Sequence, residues 1–207
     1  MQSTLEPPIA FSQLMNLTCG GERPASRARE TMLSVYALAI GLVLAAVWGV
    51  AAGSSSAELA LADLYKVPMV ILLSAVTALP AGLVALRLTN AKLGGLELAG
   101  AFATSIFGGT LVLATLAPLV AIYYHTSAKA GVPLALGSVF TALATASLLF
   151  ARAVSRRMPA QRGGSLLAVV ILVAIFLAAL LQFVALASPI IGVHGTPLEG
   201  GFDGLRL

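Results

Sequence analysis

The chain has 207 residues, 59% of them hydrophobic and only 10% charged, with a mean hydropathy of +0.99. Soluble domains run at about 45–50% apolar and about 25% charged residues, so a water-soluble globular domain, a disordered chain and a disulfide scaffold are all excluded. The formal charge is +4, and with Cys19 as its one cysteine the chain can form no internal disulfide. A helical membrane protein remains, with too little chain outside its spans for a large soluble catalytic domain.

Residues 1–31 read as a cytoplasmic N-terminal segment. Pro7-Pro8 opens a stretch at 9–18 that Gly20-Gly21 closes. At helical periodicity Ser12, Gln13 and Asn16 share one face, and Phe11, Leu14, Met15 and Leu17 take the other. That pattern predicts a short interfacial helix on the inner leaflet.

A bilayer core about 30 Å thick needs about 20 apolar residues per helix. Charge-free runs of that length fall at 32–52, 67–86, 98–124 and 132–151, and a last one at 163–193 has its apolar core at 166–188. The sequence therefore predicts an all-α, polytopic membrane protein with five transmembrane helices, a bundle over 32–193, and a mobile outer tail at 194–207. Pro68 and Pro133 fall at the first turns of spans two and four, where proline is tolerated. Pro80 and Pro118 fall inside spans, where each removes a backbone hydrogen bond. Between spans one and two, Ser55-Ser56-Ala57-Glu58 has the capping-box pattern. Leu59, Leu61, Leu64 and Tyr65 follow it, which predicts a two-turn helix on the outer surface.

Basic residues collect on the cytoplasmic side of membranes. Arg23, Arg27, Arg29, Arg87, Lys92, Arg152, Arg156, Arg157 and Arg162 fall on one side, and Lys66, Lys129 and Arg206 on the other. Nine against three predicts an N-in, C-out topology in an inner (plasma) membrane. Trp48, Tyr65, Tyr123 and Tyr124 near the outer interface, and Tyr36 near the inner one, suit the aromatic belts.

No phosphate loop, zinc-helix motif or nucleophile elbow is present. No cofactor and no nucleic-acid partner are expected, and the partners expected are lipid and either another membrane protein or a second copy. Gln182 is the most polar side chain deep in a span, and with Thr104, Ser105 and Thr141 it either bonds helices together or lines a polar path. No run carries an acid or a base, which argues against an ion-coupled carrier. Small residues recur at helical spacing: Gly49 and Gly53 in span one, Ala101, Ser105 and Gly109 in span three, Gly137, Thr141 and Thr145 in span four. Such faces let helices approach closely, within the bundle or between subunits. Arg152, Arg156, Arg157 and Arg162 set topology and are candidates for contact with anionic lipid.

Asp63-Leu64-Tyr65-Lys66-Val67-Pro68 leading into an apolar span, followed by Ala78-Leu79-Pro80, resembles a group of uncharacterised bacterial multi-span proteins. Their spans look like the Yip family of vesicle-trafficking membrane proteins, which has five spans, a cytosolic N-terminus and a D-L-[YW]-G-P motif. The resemblance implies a five-helix bundle. Lys66-Val67 departs from the family's glycine, and the motif here precedes span two rather than span one.

The function expected from these features is that of a non-catalytic, membrane-embedded subunit, anchor or scaffold of a larger assembly. A small-solute transporter or channel subunit is the alternative. An enzyme would require Asp63, His125 and His194 to converge on the outer side.

Overall fold

The structure, a computed structural model, describes residues 7–19, 26–88, 93–127, 130–157, 162–188 and 190. The outer tail at 194–207, His194 included, and the Arg162 side chain lie outside the described residues. The helices run in chain order as α1 (Pro7–Cys19), α2 (Arg27–Ala52), α3 (Ala57–Leu88), α4 (Gly95–Thr126), α5 (Gly131–Arg157) and α6 (Arg162–Ala187), and there is no strand among the described residues. Five of them, α2 to α6, are long and apolar enough to cross a membrane.

The helices α2 to α5 extend past the charge-free runs that reveal them, whereas α6 starts one residue before its run and ends inside it. A charged residue ends a run but not a helix, because backbone hydrogen bonding continues wherever the side chain can reach water. The largest extension is in α3. The expected separate two-turn surface helix is instead one continuous 32-residue helix with span two, about 48 Å long. Its first turn is capped one residue later than the capping-box reading had it: the Leu59 N–H donates to Ser56 Oγ at 3.1 Å. Pro68 therefore lies in the interior of α3 rather than at its first turn.

The bundle is a ring in the contact order α6–α3–α2–α4–α5, closed by a lesser contact between α5 and α6. Phe102 of α4 stands edge-on to Phe150 of α5 at 5.4 Å and to Phe176 of α6 at 5.3 Å, so one aromatic cluster joins three helices across the middle. Glycines set the α2–α4 spacing. A Cβ on Gly41 would lie 3.2 Å from Thr110 Oγ1, and one on Gly100 would lie 2.9 Å from Ser34 Oγ. In lipid, where apolar burial between helices gains little, this close backbone approach is the main source of packing energy.

The helix expected at 9–18 forms as α1 and packs on protein. Leu14 is fully buried against Leu33, Ala37 and Phe107, and Phe11 meets the Phe107 ring edge-on at 6.1 Å. Ala37 lies ten residues into α2, about 15 Å along its axis. The apolar face of α1 thus fills the groove between α2 and α4.

Candidate functional site

At the end of the bundle where α2 begins, Arg157 of α5 holds three helices together. Its Nη2 lies 3.3 Å from Glu30 Oε1 of α2, with side chains only 10% and 19% exposed, and its Nη1 donates to the Glu97 carbonyl of α4. The Glu97 side chain in turn accepts the Gly94 N–H at 3.1 Å, which caps α4. Beside this clamp opens a cleft of about 140 Å³, lined by Thr18, Glu30, Ser34, Thr104, Arg152 and Arg156 among others. Three of the four expected lipid-contact arginines are therefore gathered at one cleft, and one of these, Arg157, is engaged in an ion pair.

The hydroxyl groups in the spans are turned back onto their own helices. Ser105 Oγ donates to the Ala101 carbonyl at 2.6 Å, Thr104 to the Gly100 and Ala101 carbonyls, and Thr141 to the Gly137 carbonyl at 2.8 Å. Such bonds satisfy a hydroxyl without committing it to a neighbouring helix. Ser105 is buried, Thr104 half-buried, and Gln182 and Thr141 are exposed on the outside of the bundle. The four expected polar residues do not converge on one path.

The small-residue faces divide into two kinds. Gly49 and Gly53 face α3, where a Cβ on Gly53 would lie 2.8 Å from Ala60 Cα. Gly109, on the same face as buried Ala101, faces α5, where a Cβ on it would lie 2.9 Å from the Ala146 Cβ and 3.0 Å from the Ala142 carbonyl oxygen. Gly137 is the opposite case: a Cβ there would meet nothing within 4 Å among the described residues. It belongs to an exposed line along α5 with Pro133, Thr141, Ala144 and Leu148.

At the far end, two features escape the sequence reading. Trp48 is not in an interfacial belt. It is 3% exposed, and its Nε1–H donates at 2.9 Å to Ser138 Oγ, which itself donates to the Ala135 carbonyl at 2.6 Å. Tyr65 and Tyr123 remain exposed as a belt requires. The second feature is Asp63, which is fully buried although it precedes the charge-free run. Its backbone lies against Gly49, and its Oδ2 would be 2.8 Å from a Cβ on Gly53. Neither carboxylate oxygen accepts a hydrogen bond, and the buried hydroxyl oxygens of Ser54 and Tyr124 are likewise without a partner. Asp63 and Tyr124 lie within electrostatic range of each other, and Lys66 acts on Asp63 from one turn along α3. The expectation of a bundle without buried charge therefore fails at this position. Periodicity could have revealed it, since Asp63 lies on the same helical face as Val67, Val70 and Ser74, all buried.

His125 is exposed on the last turn of α4, and among the described residues no three His, Cys, Asp or Glu side chains gather where they could hold a metal ion. No protein family, no curated protein and no solved structure matches the chain.

Proposed function

We propose that this protein is a non-catalytic, five-span subunit, anchor or scaffold of a larger membrane assembly. In this reading it sits in the plasma membrane with its N-terminus and arginine-rich end in the cytoplasm. The observation that carries the reading is the outward line of α5 through Gly137, Thr141 and Ala144. Glycine in a helix interior costs about 1 kcal/mol relative to alanine. Elsewhere in the bundle Gly41, Gly49, Gly100 and Gly109 return that cost as close helix contact. Gly137 has no such return among the described residues, and a transmembrane helix of a partner protein seated along α5 would provide it.

The test is cysteine crosslinking in native membranes. Cys19 is replaced by serine, and single cysteines are placed at Thr141, on the proposed contact, and at Val76, on an exposed position of α3. The expected result is a discrete heterologous adduct from position 141 and none from position 76, with the same partner in a mild-detergent pull-down. A product with twice the mass of the chain would make the partner a second copy. The absence of any adduct at 141, with the chain purifying as a monomer, refutes the reading.

A small-solute carrier or channel subunit is the second reading, and the buried carboxyl group of Asp63 is the observation in its favour.

A further inference from the structure

At this end of the bundle the polar oxygens of three side chains are buried without a hydrogen-bond partner among the described residues: both carboxylate oxygens of Asp63 on α3, the hydroxyl oxygen of Ser54 just past the end of α2, and that of Tyr124 near the end of α4. A buried polar group left without a partner costs about 1–3 kcal/mol, and a charged one more. Unpartnered oxygens on Asp63, which lies beside Gly53 and within electrostatic range of Tyr124, are therefore too expensive to be incidental. The carboxylate offers only acceptors, each hydroxyl offers lone pairs besides its one donor hydrogen, and neither hydroxyl donates to Asp63.

The backbone adds to this bias. α2 ends at Ala52, so its negative dipole end faces this region. Gly49 and Gly53 bring that end against Asp63. A carboxylate beside a helix C-terminus is electrostatically the wrong sign, and a cation there is the right one. Lys66 is half-exposed and acts through space, yet neither Asp63 oxygen takes a hydrogen bond from it. Glu58 and His125 at this end are exposed and face water.

We propose that Asp63, Ser54 and Tyr124 form a binding site for one small monovalent cation of sodium size, closed by the terminal turn of α2. The donor set is all oxygen, which suits a hard cation. The single carboxylate balances one monovalent charge, whereas a divalent ion would carry a second positive charge with no counter-charge in the donor set. Oδ2 is crowded from the Gly53 side, where a single added carbon would already lie 2.8 Å away, which favours a small ion.

The chain carries its own reporter. Trp48 is its only tryptophan and immediately precedes Gly49. The experiment titrates sodium chloride against the purified full chain in detergent, at neutral pH and at ionic strength held constant with choline chloride. Trp48 emission and the melting temperature are both followed. The expected result is a saturable sodium response in both, with potassium weaker, which Asp63→Asn abolishes. If Asp63→Asn does not fold, Ser54→Ala and Tyr124→Phe keep the charge and decide the matter: each should weaken sodium binding on the order of tenfold. Identical curves in sodium and choline overturn the proposal and leave a bridging water or a proton as the occupant. So does a sodium response that survives Asp63→Asn or is unchanged in both hydroxyl variants. The assay uses the isolated chain, so its outcome is independent of whether α5 has a partner.

Discussion

Replacing Gly49 with alanine isolates the contact on which the α2–α3 pair depends. The new Cβ would overlap the Asp63 carbonyl oxygen and stand 3.0 Å from its carbonyl carbon and 3.1 Å from Val67 Cγ2. Carbon atoms pack comfortably at about 3.5–4.0 Å, so the helices must separate by about 0.5–1 Å. The obstruction is main chain, which no rotamer change can move aside. Overpacking of this kind costs about 1–3 kcal/mol, and a backbone obstacle puts Gly49→Ala at the upper end. Alanine returns about 1 kcal/mol through helix propensity, which leaves a net loss of about 2 kcal/mol. For a chain of this size that lowers the melting temperature by about 4–8 °C. The assay is thermal unfolding of purified protein in one detergent, followed by Trp48 fluorescence. Gly137→Ala is the internal control, because it gains the same propensity with no clash and should melt at or slightly above the wild type. A Gly49→Ala protein that melts with or above the wild type would refute the claim that glycine is required for this approach.

Three further outcomes are expected. Arg157→Met removes the ion pair to Glu30 and the bond to the Glu97 carbonyl; at a partly exposed bundle end it should cost about 1–3 kcal/mol in a chemical melt, with part of the loss recovered by adding Glu30→Gln. Trp48→Phe deletes the N–H to Ser138 and should cost about 1 kcal/mol. Ser138 keeps its bond to the Ala135 carbonyl, so Ser138→Ala, which orphans the Trp48 N–H, should cost more than Trp48→Phe in denaturation followed by circular dichroism. Leu14→Ala empties the pocket made by Leu33, Ala37 and Phe107. Hydrogen exchange should then accelerate across α1 while the α2–α6 bundle keeps its protection and its melting temperature.

Hydropathy alone was enough to read the five spans, because lipid imposes a single length and polarity on every segment that crosses it. Where the helices end was harder to read. A charge ends an apolar run but, at a membrane surface, does not stop a helix, so α3 begins ten residues before its apolar run. The same boundary hid Asp63. A separate surface helix would leave it outside the bundle, whereas the periodicity of Val67, Val70 and Ser74 carried back one more turn places it on the packed face. Trp48 went astray for a related reason. Its position near the end of a span suits an interfacial ring, but its N–H finds Ser138 ninety residues away in sequence, a pairing no local pattern encodes.

The small-residue spacings show most clearly what a sequence of this kind conceals. Gly49, Gly109 and Gly137 lie in equivalent patterns, and nothing local separates them. Their environments do: α2 against α3 at the first, α4 against α5 at the second, and open space at the third. The ring order α6–α3–α2–α4–α5 explains the difference. α2 and α4 sit between two neighbours each and use their small residues on both sides. α5 has one extensive neighbour, α4, and only the lesser contact with α6, so part of its circumference is left over. The outward line through Gly137 lies on that remainder. Filling it with bulk should separate assembly from folding: Gly137→Leu is expected to leave the melting temperature of the isolated chain within about 2 °C of wild type, since exposed substitutions change stability by about 0.5 kcal/mol or less. In native membranes the same variant should lose the adduct formed from a cysteine at Thr141. Loss of stability without loss of the adduct would place Gly137 inside the fold of this chain and remove the argument for a partner along α5.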